Sequence, residues 1–347
     1  MIPEAPAVVV IGGAAWMIAR VWPGDPAPFE ARRGGEIRGG LLRADGTAEM
    51  LAPGEDPALP ALGALARRGT IVSHRPGRRA VVRLAEGKGY AKALRRGRGE
   101  AAADAHERGA DAFSGGFAVP RLLARGADAI EIEAIPGRTL HELGGDRDLS
   151  EEQWRAAWRA WREAWVSSVA DADASALPPH DAQDEARILS EWAERAAERA
   201  RDDREADLLR TAAGRLAGRV VAGAGPARAA AHRDLHDKQL LWDPEHGIGV
   251  IDLDTCARAD PALDLGNLLA HVEFAVVQGA WPRRRARLAR GEIASAARAL
   301  DVGPERLDAW RRAARFRIAS VHLLRPPGRD AARRDLLRLC LEETGDA

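Results

Sequence analysis

Between Ala231 and Gly266 the chain reads AHRDLHDKQLLWDPEHGIGVIDLDTCARADPALDLG, and its residue types are those that phosphoryl transfer needs. Moving a phosphoryl group asks a protein for little covalent chemistry. It asks for magnesium held by oxygen ligands against the phosphates, and for a carboxylate that orients the attacking hydroxyl and takes its proton. Asp234, which follows a His-Arg pair, is the candidate carboxylate. Gln239, five residues on, and Asp252 are the candidate metal ligands, and Asp254 is close enough to Asp252 to add a second acidic oxygen.

Short strands must bring these groups together. Leu240, Leu241 and Trp242 form one apolar run and Ile248 to Ile251 another, with the turn-forming Asp243-Pro244-Glu245-His246-Gly247 between them. Two such runs around a Pro/Gly turn predict a hairpin. The oxygen of Gln239 and the carboxylate of Asp252 then meet at one end of it. His232 is expected to be structural, hydrogen-bonded to backbone, while His236 and His246 lie near the loop and face either phosphate or solvent. None of the three histidines is assigned a catalytic role.

An HRD triplet, an amide five residues after its Asp, and a strand-borne Asp together resemble the catalytic and metal loops of the protein-kinase-like superfamily. The run IDLDTCARADPALDLGN resembles the ID-x-(D/E)…DP-x-x-DL signature of the aminoglycoside phosphotransferase and choline kinase-like family. The interval from Asp252 to Asp264 leaves no room for the activation segment of a protein kinase. By this resemblance Asp264 braces the catalytic loop. The chain departs from the family in carrying Gln239 where Asn is usual, which keeps the oxygen and lengthens its reach by a methylene. Maltokinase-like sugar kinases are similar here, so the departure reads as an active variant; a nucleotide-binding pseudoenzyme is the alternative.

The resemblance implies an α+β, bilobal protein-kinase-like fold with ATP and Mg2+ as cofactors. Residues 1–66 would be an N-terminal β-rich extension or cap, 67–135 the N-lobe with a hinge near 130–137, and 136–347 a mostly helical C-lobe. In that frame Arg75-Pro76-Gly77-Arg78-Arg79 is the hairpin over the nucleotide phosphates, where Arg78 either touches phosphate or is simply solvated. Lys92 in YAKAL is the strand lysine that reaches the phosphates. Its partner is expected on the next helix, with Glu100 the better match and Glu107 the alternative. The run IEIEAIPG resembles the hinge strand, whose main chain from about Glu133 to Ile135 would bond the adenine.

Bulk properties bound the reading. Lys+Arg and Asp+Glu both number 52, so there is no net field to attract nucleic acid or an anionic membrane. Hydrophobic residues at 46% supply a core. Cys256 and Cys340 are far apart, without metal-ligand spacing, as in a reducing cytoplasm. No apolar run has transmembrane length, and VVVIGGAAW lacks both a signal peptide's basic start and the third glycine of a dinucleotide fingerprint.

Strands are expected at 7–11, 16–22, 36–43, 70–74, 80–84 and 90–94, and helices through most of the rest. Trp154, Trp158, Trp161 and Trp165 fall on one helix face and read as core rather than as a stacking platform. The cluster Arg283-Arg284-Arg285-Ala286-Arg287 reads as solvated surface. The acceptor is a small hydroxyl-bearing molecule: aminoglycoside, aminosugar, sugar or amino alcohol. Zero net charge weighs against a specialist for polycations.

Overall fold

The computed structural model describes residues 5–87, 89–171 and 174–345. The chain divides into two compact units, one made of Met1–Asp104, Arg121–Ala134 and Val321–Arg329, the other of Ala105–Pro120, Ile135–Ser320 and Asp330–Ala347.

The first unit carries two antiparallel sheets. One is a five-stranded meander of β1 (Val8–Ile11), β2 (Ala14–Val21), β3 (Ala27–Arg33), β4 (Glu36–Leu42) and β5 (Ala48–Met50), paired in chain order. Trp16, Ile18, Phe29, Ala31 and Leu42 form its core. The central strand β3 is absent from the sequence expectation, because Pro26 and Pro28 read as strand breakers. Pro28 has no N–H to give, but it stays in register opposite Leu41 and its carbonyl accepts from the Trp22 amide at 2.9 Å.

After α1 (Leu62–Ala66) comes the second sheet, built from β6 (Gly69–Arg75), β7 (Arg79–Leu84), β8 (Tyr90–Leu94), β9 (Leu122–Arg125) and β10 (Ala129–Ile132) in the order β6-β7-β8-β10-β9. Leu59, Leu62, Val82, Ala91 and Ala93 pack against it. Helix α2 (Gly99–Phe113) follows β8. It opens on Gly99 because any Cβ there would lie 1.8 Å from the Gly126 carbonyl oxygen.

The second unit is mostly helical. Its elements are β11 (Arg138–Thr139), α3 (Leu140–Gly145), α4 (Glu151–Asp171), α5 (Ala182–Ala197), α6 (Asp203–Gly223), β12 (Ala229–Ala231), β13 (Leu240–Asp243), β14 (Gly247–Val250), β15 (Ala257–Ala259), α7 (Ala262–Val277) and α8 (Arg283–Ala299). Helices α9 (Pro304–Leu323) and α10 (Arg329–Thr344) complete the chain. Strands β11, β13 and β14 make one small sheet and β12 with β15 another.

The tryptophan face of α4 is core, as its spacing predicts: all four rings are fully buried. Successive ring centroids lie 5.7, 5.4 and 6.3 Å apart, and Trp281 meets Trp154 edge-on at 5.1 Å.

Arg285 corrects the surface reading of its cluster. It is 4% exposed and donates to the carbonyls of Leu143 at 2.6 Å, Gly144 at 3.1 Å and Leu149 at 2.7 Å. The guanidinium fork thus bonds two carbonyls at the end of α3 and one just beyond it; that of Leu143 also takes the Asp146 amide at 3.3 Å. Arg283 and Arg284 are exposed, as expected. Among the described residues no helix is long and apolar enough to cross a membrane.

Candidate active site

The hairpin expected between Leu240 and Ile251 is present, with Leu240 opposite Val250 and Asp243 opposite Gly247. Gln239 enters it and Asp252 leaves it at the end away from the turn, and the Ile251 amide donates to the Gln239 carbonyl at 3.0 Å. The two side chains meet there, Gln239 Nε2 lying 3.5 Å from Asp252 Oδ2. Gln239 is only 5% exposed, and its Oε1 is buried with no hydrogen-bond partner.

A buried acceptor left unpaired costs about 1–3 kcal/mol. A cation facing Gln239 and Asp252 would remove that cost, so the pair fits a hard, oxygen-liganded ion. Asp254 lies two residues on, in the short 3-10 turn Leu253–Thr255, and is half-buried. Among the described residues no three His, Cys, Asp or Glu side chains converge into a metal cage. Magnesium does not ask for one, since it takes one or two protein oxygens and completes its shell with phosphate and water.

Asp234 is exposed, and among the described residues its carboxylate makes no hydrogen bond. The loop under it is pinned from several sides. Asp264, at the start of α7 and 1% exposed, accepts from the amides of His232 at 2.5 Å and Arg233 at 2.9 Å. His232 is fully buried and bonds the Ile251 carbonyl through Nε2 at 2.8 Å, and its own carbonyl receives the Thr255 hydroxyl at 3.1 Å.

Burial pushes the Asp264 carboxyl up to about 6, against the opposing pull of His232 and the two amides. Burial likewise holds the His236 imidazole below its ordinary value. Its Nδ1 accepts from the Lys238 amide at 3.2 Å.

Backbone strain gathers at the same place. Among the described residues three non-glycine residues have positive φ, and two of them are Arg233 at 69° and Asp252 at 65°. Such conformations cost on the order of 1–3 kcal/mol each and persist only where surrounding bonds over-determine them. The sequence reading missed two further braces. Asn267 on α7 donates to the Leu235 carbonyl at 2.8 Å and is itself held by Arg317 at 2.7 Å. Asp237 binds His141 Nδ1 at 2.6 Å, and its carbonyl accepts the His141 amide at 3.0 Å. Asn267 follows Asp264 by three residues and was visible in the DLGN run; the partner of Asp237 is 96 residues away and left no local trace.

In the first unit Lys92 sits at the middle of β8, opposite Ile130 and Val81, and is 4% exposed. The partner expected for it is Glu100. It lies in the exposed first turn of α2, where its carboxylate pairs with Arg125 at 3.1 Å, beside the Arg125–Asp104 contact at 2.7 Å. Glu107, the alternative, is two turns further along α2 and exposed.

At the expected hinge the Glu133 amide is already spent on the Arg121 carbonyl at 2.9 Å, and its carboxylate pairs with Arg121. Among the described residues the Glu133 carbonyl and the Ile135 amide have no partner. Arg78 stands exposed at the β6–β7 turn, whose Arg78 amide donates to the Arg75 carbonyl at 3.1 Å. The sequence reading also passed over Tyr90, the sole tyrosine, which lines an open recess with Thr70, Leu84 and Ala134. Cys256 is buried, and burial raises its thiol well above the ordinary value, which makes it a poor nucleophile.

Residues 63–310 match a family model described as the phosphotransferase enzyme family, APH. The chain belongs to the phosphotransferase enzyme family. Among curated protein sequences none matches it.

Solved structures share the fold. A thermostable mutant of aminoglycoside phosphotransferase APH(4)-Ia, in its apo form, is 16% identical, covers 95% of this chain and 95% of its own, and has a TM-score of 0.51. A Plasmodium vivax ethanolamine kinase is 10% identical over 80% of this chain and 84% of its own, with a TM-score of 0.52. The GDP and kanamycin complex of APH(2")-IIia is 15% identical over 83% of this chain and 98% of its own, with a TM-score of 0.51. The α+β architecture is therefore the kinase-like one that the signature residues implied.

Proposed function

We propose that the protein is an ATP- and magnesium-dependent small-molecule kinase that transfers the γ-phosphoryl group to a hydroxyl of a small acceptor. The observation that carries this reading is the pairing of an exposed Asp234, on a hydrogen-bonded loop, with the oxygens of buried Gln239 and half-buried Asp252, where Gln239 Oε1 has no partner. Asp234 orients the acceptor hydroxyl and accepts its proton as the oxygen bonds to the γ-phosphorus and the bridging bond to ADP breaks. Gln239 and Asp252, with Asp254 beside them, would hold magnesium, which when bound offsets the charge of the phosphates. Lys92 binds the α- and β-phosphates, and at the adenine edge the Glu133 carbonyl accepts a hydrogen bond while the Ile135 amide donates one. The two thiols are buried, consistent with work in a reducing cytoplasm.

The sequence alternative of a pseudoenzyme rests on Gln239 alone. The orphaned Oε1 argues for a retained metal role. Kanamycin and ethanolamine are named for the structural neighbours, and they suggest aminoglycosides, aminosugars, sugars and amino alcohols as acceptors to try.

The test is nucleotide consumption by purified protein with magnesium and either ATP or GTP across that panel, beside an Asp234→Ala control. Acceptor-stimulated ADP release that falls by roughly two to four orders of magnitude in the control, with ATP binding kept, is the expected outcome. Full turnover in the control would remove Asp234 from the mechanism.

A further inference from the structure

The family match begins at residue 63, so the β1–β5 sheet has no role in the reading so far. Buried polar contacts from it and from the chain that follows converge on residues 73–77 at the end of β6. His74 is 2% exposed; its Nδ1 accepts from the Gly39 amide of β4 at 3.1 Å, and its Nε2 bonds Asp56 Oδ2 at 3.0 Å. An Nδ1 that accepts fixes the neutral tautomer with the proton on Nε2, so Asp56 is the acceptor. The same Asp56 oxygen takes the Gly77 amide at 2.8 Å, and its other oxygen takes the Ala58 amide at 3.0 Å. Glu30, in the middle of β3 and fully buried, accepts from the His74 amide at 2.9 Å and from the Ser73 hydroxyl at 3.2 Å.

A cation–π contact and close packing reinforce the grip. The Arg75 guanidinium lies 5.3 Å over the ring of Trp22, and a Cβ on Gly39 would come within 2.6 Å of the Pro76 ring.

An ordinary β-hairpin turn needs none of this, because its own i to i+3 bond closes it. That bond is present here, from the Arg78 amide to the Arg75 carbonyl. The additional bonds instead fix where the turn stands. They also cost something, since taking two carboxylates out of water is unfavourable unless each is fully bonded. Burial raises the Asp56 carboxyl, and the bonds from His74, Gly77 and Ala58 outweigh it, leaving the group below its ordinary value.

We propose that the N-terminal five-stranded sheet is a clamp that pre-positions the β6–β7 hairpin for the nucleotide phosphates, with Glu30, Asp56 and His74 as its positioning residues. This rests on the kinase reading, in which that hairpin covers the phosphates. The clamp leaves Arg78 and Arg79 exposed on a base that is already ordered, so ATP need not order the turn when it binds.

The test is hydrogen exchange over residues 73–79 in the full-length protein, together with ATP titration, for Asp56→Asn and Glu30→Gln. An Ile18→Ala control weakens the sheet's own core away from the hairpin, and melting temperatures of all variants are matched by choice of assay temperature. The proposal expects faster exchange at 73–79 in both carboxylate variants and a Kd for ATP raised about tenfold, with less than a twofold change in the control. Because both carboxylates act through His74, the double variant should be little worse than either single one. Exchange that stays slow, or exchange that quickens while ATP affinity is unchanged, would overturn the clamp and leave the kinase reading intact. A control that weakens ATP binding as much as the carboxylate variants would overturn it too. Wild-type protein that binds no ATP would overturn the kinase reading and the clamp with it, whatever the exchange shows.

Discussion

At the scale of single residues the loop that carries Asp234 is braced by groups whose partners are amides and carbonyls. Asp264 shows the consequence most plainly. Its carboxyl is raised from 3.8 to about 6 by complete burial, so the folded chain holds the proton more tightly than the unfolded chain does. The stability this contributes is full below the unfolded value and is lost as pH rises through about 6. A shift of about two units corresponds to roughly 3 kcal/mol. Relative to an Asp264→Asn variant, which cannot titrate, the wild type should gain stability as pH is lowered from 7 to 4, measured as the difference between their urea midpoints. A difference that stayed flat across that range would mean that the carboxyl does not change charge there.

Asp234, Gln239, Asp252 and Asp264 could all be named from the sequence because they lie within one stretch at fixed spacing. The partner of Glu100 could not, because Arg125 is 25 residues off and only the fold brings it to α2.

At the scale of elements, the periodic parts of the chain were legible and the irregular parts were not. The four tryptophans of α4 announce a buried helix face, and the Leu240 to Ile251 pattern announces its hairpin. β3 stayed hidden behind Pro26 and Pro28, and β5 is only three residues long. The fate of the arginine cluster was hidden for another reason: sequence pattern cannot show which of several adjacent arginines reaches buried carbonyls. Arg285 does, at the end of α3.

Replacing Arg285 with Met should therefore cost about 2–5 kcal/mol, because it leaves buried acceptors without donors. Arg283→Met, at an exposed position of the same helix, should stay within about 0.5 kcal/mol of wild type. Urea titration checks both: the midpoint should fall for Arg285 alone, with the slope unchanged. Equal effects would return Arg285 to the surface.

At the scale of the whole molecule, the chain builds two units with separate apolar cores. Two cores invite two unfolding events. All of the ten tryptophans except Trp16 and Trp22 belong to the second unit, so tryptophan fluorescence follows mainly that unit. The fluorescence melt should not coincide with loss of exchange protection in β1–β5. Coincident curves would instead show a single cooperative fold. The α4 ladder adds a property of another kind. Its indoles, buried and spaced 5.4 to 6.3 Å apart, are near enough for their transition dipoles to couple. Near-ultraviolet circular dichroism should then report on the packing of this one helix face without any label.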